Sequence, residues 1–292
     1  MSGDPTALIE KADKKAQPGS KLASWFSGGN GERYEEAAEL YKQAANIYRI
    51  QKDGRSAGQT FEKAAACQEK CDEKDDAANT YVEAFKSYKQ SDPQDAVRVL
   101  EKAISQFTLR GQFRRAANHQ MELGELFEKE LDDPSRAIDS FNTAGDWYFQ
   151  DQAEALSNKA FLRVADLAGL HGEYARAVEN FDRVAKQSLN NNLTKWGLKE
   201  HFLKAGLCRI ADQDTVSAER AMEEYVEWEP NFATTREYHL LREVLEAVKN
   251  GDQEALAKAA YEFDQFSKLD KWKTDLLMRI KDQISSAEDD LL

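Results

Sequence analysis

Small and large apolar residues alternate along the chain with a helical period, and that pattern itself repeats. Pairs headed by a small residue occur at Ala37-Ala38, Ala57-Gly58, Ala77-Ala78, Ala96-Val97, Ala116-Ala117, Ala137-Ile138 and Ala177-Val178. Their spacing is 20, 20, 19, 20, 21 and then 40 residues, and the absent member falls at Leu156-Ser157, helical in pattern but degenerate. Several pairs open one phrase. Ala37 leads to Tyr41, Ala45 and Tyr48, Ala77 to Tyr81, Phe85 and Tyr88, Ala96 to Leu100, Ile104 and Phe107, and Ala137 to Phe141, Gly145 and Tyr148. Offsets of 4, 8 and 11 share one face of a helix, so each unit is one helix and a short turn. Two units make a hairpin of about forty residues.

Turn signals separate the units at Asp53-Gly54, Ser91-Asp92-Pro93, Asp132-Asp133-Pro134 and His171-Gly172. Asp92-Pro93 and Asp133-Pro134 read as an N-cap followed by proline at the first helical position. The phrase fades after about residue 190, and three unrepeated helices follow near 232–249, 253–267 and 271–286. Their stripes hold Leu240, Leu241, Val244 and Leu245, then Phe263 and Phe266, then Trp272, Leu276, Ile280 and Ile284. The expectation is an all-α protein: a right-handed tetratricopeptide-like α-solenoid of helical hairpins, closed by a C-terminal helical bundle cap. Three parts follow: an N-terminal helix and flexible apolar loop over 1–31, the solenoid over 32–230, and a bundle with an acidic tail over 231–292.

Composition narrows the function. Few glycines and prolines and a middle rich in Ala, Glu, Lys, Leu and Gln favour helix. A net charge of −13 argues against nucleic acid as the main partner. Three cysteines, Cys67, Cys71 and Cys208, fit no disulfide framework and point to a reducing, cytosolic compartment. No signal peptide and no run of eighteen apolar residues is present, so a cytoplasmic protein, at most peripheral to a membrane, is expected. The four histidines are scattered, no histidine follows a glutamate by three, and there is no Gly-rich phosphate loop. No catalytic residue, metal site or cofactor is expected, and the chain reads as a binding protein.

Three segments stand apart from the repeat. Within residues 18–31, Leu22, Trp25 and Phe26 sit among glycines and serines with Lys21 close by. They either fold back onto the first hairpin or wedge into a bilayer interface. Basic clusters at Arg114/Arg115, Lys159/Arg163, Lys195/Lys199 and Arg236 recur near every forty residues. They are either solvated cations paired with nearby acids or a stripe suited to an elongated acidic partner. The terminal Glu288-Asp289-Asp290-Leu291-Leu292 is either a frayed end or an acidic-hydrophobic docking peptide. A tetratricopeptide clamp for a short peptide end is the alternative to an elongated ligand; the spread of basic residues over four hairpins favours the latter.

These segments together resemble one family. The Trp25-Phe26 loop before Tyr34-Glu35-Glu36-Ala37-Ala38, the run Arg110-Gly111-Gln112-Phe113-Arg114-Arg115-Ala116-Ala117, Ala155-Leu156-Ser157-Asn158-Lys159, Leu269-Asp270-Lys271-Trp272 and the terminal acids and leucines occur in order over essentially the whole chain. The chain resembles the soluble NSF attachment proteins, on the fungal side of that family's alpha branch. The resemblance implies an adaptor, not an enzyme. Such adaptors bind the assembled SNARE four-helix complex, with syntaxin-type SNAREs among its members, and recruit and stimulate the hexameric ATPase NSF, which disassembles the complex during vesicle fusion. It implies SNARE contacts at Arg115, Lys159, Arg163, Lys199 and Arg236, with Asn118 standing where some relatives carry lysine. It implies a membrane-facing loop at Leu22, Trp25 and Phe26, and an NSF contact at Glu288, Asp289, Asp290, Leu291 and Leu292.

Overall fold

The helices begin where the capping chemistry allows. In the computed structural model, which describes residues 4–17, 29–191 and 194–289, Asp4 accepts a hydrogen bond from the Thr6 N–H at 2.9 Å and Pro5 opens α1 (Pro5–Ala16). The chain divides into two units, Met1–Ala153 and Glu154–Leu292. The first continues with α2 (Gly29–Ile50), α3 (Gly54–Lys70), α4 (Lys74–Tyr88), α5 (Pro93–Leu109), α6 (Phe113–Lys129) and α7 (Pro134–Gln150). The second holds α8 (Glu154–Leu170), α9 (Tyr174–Ser188), α10 (Leu198–Ala211), α11 (Thr215–Trp228), α12 (Arg236–Asn250), α13 (Gln253–Phe266) and α14 (Lys271–Asp289), with 3-10 turns at Lys195–Gly197 and Pro230–Thr234. Among the described residues there is no strand. The fold is the all-α, tetratricopeptide-like hairpin repeat expected from the spacing.

Within the first unit like helices lie side by side, because polar side chains one hairpin apart meet. Arg49 of α2 donates to Glu83 of α4 at 2.6 Å, and Arg115 of α6 donates to Asn79 of α4. Arg98 of α5 grips Glu62 of α3 at 2.6 and 2.7 Å, and Arg136 of α7 reaches Glu101 of α5 at 3.2 Å. So α2, α4 and α6 form one layer and α3, α5 and α7 the other. Between layers, small residues receive rings: a Cβ at Gly58 would stand 2.5 Å from the Tyr88 ring, and one at Gly124 2.6 Å from Phe141. The alternation of small and aromatic positions is thus the shape of the hairpin interface. The degenerate repeat at Leu156-Ser157 is also filled, since Ser157, Phe161, Ala165 and Ala168 are all buried at the expected offsets.

Hairpin turns carry a left-handed residue, at Lys52, Asp72, Gly111, Asp132, Gln152, Gly172 and Gln213. Two local readings need adjustment. Gly54 is the first residue of α3 and Lys52 makes the turn. Asp133 caps α7 by accepting from Arg136 N at 3.1 Å, but Asp92 makes no such bond at α5, because its carboxylate is held by Arg55. Cys67 is a buried filler in the cluster of Ala12, Ala37, Ala38, Tyr41 and Ala64 that seats α1.

Candidate functional site

The basic residues singled out by spacing lie on α6, α8, α10 and α12, apart from Lys195 in the 3-10 turn before α10, and their environments differ. Arg115 is exposed on α6; its guanidinium rests 4.2 Å from the Phe107 ring centroid and donates to Gln112 Oε1 at 2.8 Å and to Asn79 Oδ1. Those acceptors are neutral amides, and the nearby Asp75 carboxylate feels the Arg115 charge. Its neighbour Arg114 is ion-paired with Asp151. Asn118 is tied as well: its Oδ1 accepts from the Tyr148 hydroxyl at 2.6 Å.

The other four lie in the second unit. Lys159 is exposed on α8 and makes no ion pair with a described residue, and Arg163 follows one turn later on the same face. Lys199 on α10 stands 2.8 Å from Glu237, the second residue of α12. Arg236, at the start of α12, lies 4.7 Å from the Phe266 ring centroid and donates to the Phe266 carbonyl at 3.4 Å. Lys199 and Arg236 therefore meet at one helix junction. Helices α8 and α10 are joined by Lys204 and Asp166 at 2.8 Å.

Beside Lys199 lies a groove of about 620 Å³, lined by Lys195, Trp196, Leu198, Phe202 and Phe232 among others. Trp196 is 86% exposed, the largest apolar surface near these cations. Lys195 is paired with Glu229 at 2.7 Å, which holds that carboxyl below its usual range. Sequence reasoning passed over Trp196, although it carries the signal that drew attention to Trp25: a large ring in a polar loop beside lysine.

The remaining candidates are not all within reach. Leu22, Trp25, Phe26, Asp290, Leu291 and Leu292 lie outside the described residues, while Glu288 and Asp289 fall in the last turn of α14. Among the described residues no three His, Cys, Asp or Glu side chains gather as for a metal ion, and no helix is long and apolar enough to cross a membrane.

Helical hairpins with these cations on alternate helices define the class: a tetratricopeptide-like helical-repeat protein. Residues 3–285 match the sequence profile of the family described as soluble NSF attachment protein, SNAP. A probable vesicular-fusion protein sec17 homolog of Schizosaccharomyces pombe is 52% identical over 291 residues, covering the whole of both chains. The alpha-soluble NSF attachment protein of Saccharomyces cerevisiae is 47% identical over 290 residues, 99% of each chain, and the human one 34% identical over 285 residues, 98% of this chain and 96% of its own. The chain belongs to the soluble NSF attachment protein family, a family of attachment proteins and not of catalysts.

Proposed function

We propose that this protein is the adaptor of SNARE disassembly in vesicle fusion: it binds the assembled four-helix complex through cations on α6, α8, α10 and α12, and recruits and stimulates NSF through its C-terminus. Family membership over residues 3–285 supports the reading, together with one observation on the cations: Lys159 is exposed on α8 and makes no ion pair with a described residue. Lys159, Arg163, Lys199 and Arg236, with Arg115 on the other unit, would meet acidic residues along the bundle, and Trp196 would add apolar contact where Lys199 lies. Such charges chiefly set encounter rate and register, the apolar contacts residence time.

The parts divide the work. Leu22, Trp25 and Phe26 in the segment 1–31 would enter the bilayer interface, weakly and reversibly, making the protein a peripheral visitor to membranes from the cytoplasm. The hairpins over 32–230 hold the bundle, and the region 231–292 ends in the acids and leucines that engage NSF. The chain itself hydrolyses nothing. A pull-down with a folded four-helix SNARE complex tests the proposal: the native chain should retain the complex, and should retain NSF only while bound to it. Failure to hold either overturns the function and leaves the fold as it is.

A further inference from the structure

Helix α14 is fastened by its first turn to the two helices that carry most of the proposed SNARE contacts. Trp272 is 7% exposed, and its indole N–H donates to the Asp166 carbonyl of α8 at 2.8 Å. The Asp166 carboxylate meets the Lys204 ammonium of α10 at 2.8 Å, and that ammonium lies 4.8 Å from the Trp272 ring. The indole also meets Phe181 of α9 edge-on, at 5.9 Å between centroids. Gly169 makes the fit possible, since a Cβ there would stand 2.8 Å from the indole. Next in sequence, Lys273 is 6% exposed and places its ammonium 2.6 Å from Glu200 of α10 and 3.0 Å from Asp270.

Burying an ammonium is a poor route to stability, because a hydrophobic side chain of the same volume avoids the desolvation cost. What a hydrogen-bonded buried ion pair supplies is register, since the charges cannot slide past one another without being left unpaired. The register here is long. Lys273 meets Glu200, and Gln283 Nε2 donates to the Ala211 carbonyl at 2.8 Å. Ten residues of α14 therefore lie along eleven of α10, in the same direction, over about 15 Å. Glu200 follows Lys199, and Asp166 lies three residues after Arg163 on α8. The far end of α14 leads into Glu288-Asp289-Asp290-Leu291-Leu292.

We propose that Trp272 and Lys273 form a coupling clasp, a pair of positioning residues that carries load applied at the C-terminus by the ATPase onto α8 and α10, and so onto the bound helical bundle. This rests on the proposed function and goes beyond it. Binding at each end needs only its own surface, whereas doing work needs a joint that does not slip.

The test uses the full-length chain with a four-helix SNARE complex and NSF, reading SNARE binding, ATP turnover and complexes disassembled per ATP. Lys273→Met keeps the volume and removes the cation, and Lys273→Arg keeps the cation. Gly169→Ala pushes the indole out of place without altering any charge. Lys273→Met and Gly169→Ala should leave binding and stimulated turnover within about twofold of native and lower disassembly per ATP at least fivefold, with Lys273→Arg recovering most of it. Unchanged disassembly per ATP in both variants overturns the clasp. So does a parallel fall of all three readings in step with lost thermal stability, which marks a purely structural role. If the native chain neither binds the complex nor stimulates NSF, the fault lies with the proposed function.

Discussion

At the scale of single residues, the helix interfaces are set by positions where a side chain must be absent or neutral. Gly124 faces the fully buried ring of Phe141, which has nowhere to retreat. Gly124→Ala should therefore lower stability by about 1–2 kcal/mol in chemical denaturation despite alanine's better helix propensity. His201 is part-buried beside Lys204, Glu200 and Asp166; burial first, then the Lys204 charge, hold its pKa below 6.5. The unfolded chain thus takes up a proton near pH 6.5 that the native chain refuses, so stability falls as pH drops below that value. The midpoint of denaturation should fall between pH 7 and 5.5, and His201→Gln should flatten that slope. A slope retained in the variant would place the titrating group elsewhere.

Individual residues also show where sequence was readable. Ser157 broke the apolar phrase, yet it is fully buried in the small position and has a polar interaction, so burial of a hydroxyl cost the helix nothing visible. Adjacent Arg114 and Arg115 look alike in sequence; one is ion-paired with Asp151 and the other hydrogen-bonds neutral amides. That difference is tertiary and has no local sign.

At the scale of elements, helix positions were legible because apolar spacing determines which face is buried, and buried faces determine helices. Caps were half legible. Asp133 and Asp92 precede prolines identically, but only Asp133 bonds its helix, since Arg55 reaches Asp92 from 37 residues away. Asp133→Ala should cost about 1 kcal/mol in thermal or chemical denaturation through loss of the cap, and Asp92→Ala should act through the Arg55 contact. An Asp92→Ala effect that stays the same when Arg55 is also removed would contradict that division. The docking of α14 was not legible at all: its ties span 106 residues from Trp272 to Asp166 and 73 from Lys273 to Glu200. For the terminal peptide that follows α14, alanine at both Leu291 and Leu292 should leave SNARE binding intact and lower NSF-stimulated ATP turnover several-fold. Normal turnover would remove the tail from the mechanism.

At the scale of the molecule, a chain of net charge −13 carries forty basic residues, many of them tied to acids one hairpin away. Those ties act as braces between repeats. On the proposed function, cations such as Lys159, which makes no ion pair with a described residue, are the ones the SNARE complex would meet. Reversing both charges as Lys159→Glu with Arg163→Glu, then measuring affinity for a pre-assembled four-helix SNARE complex at low and at physiological salt, tests that proposal most directly. Binding should weaken roughly tenfold or more, with the gap to the native chain widening as salt is lowered. Equal affinity for the two proteins at both salt concentrations would contradict it.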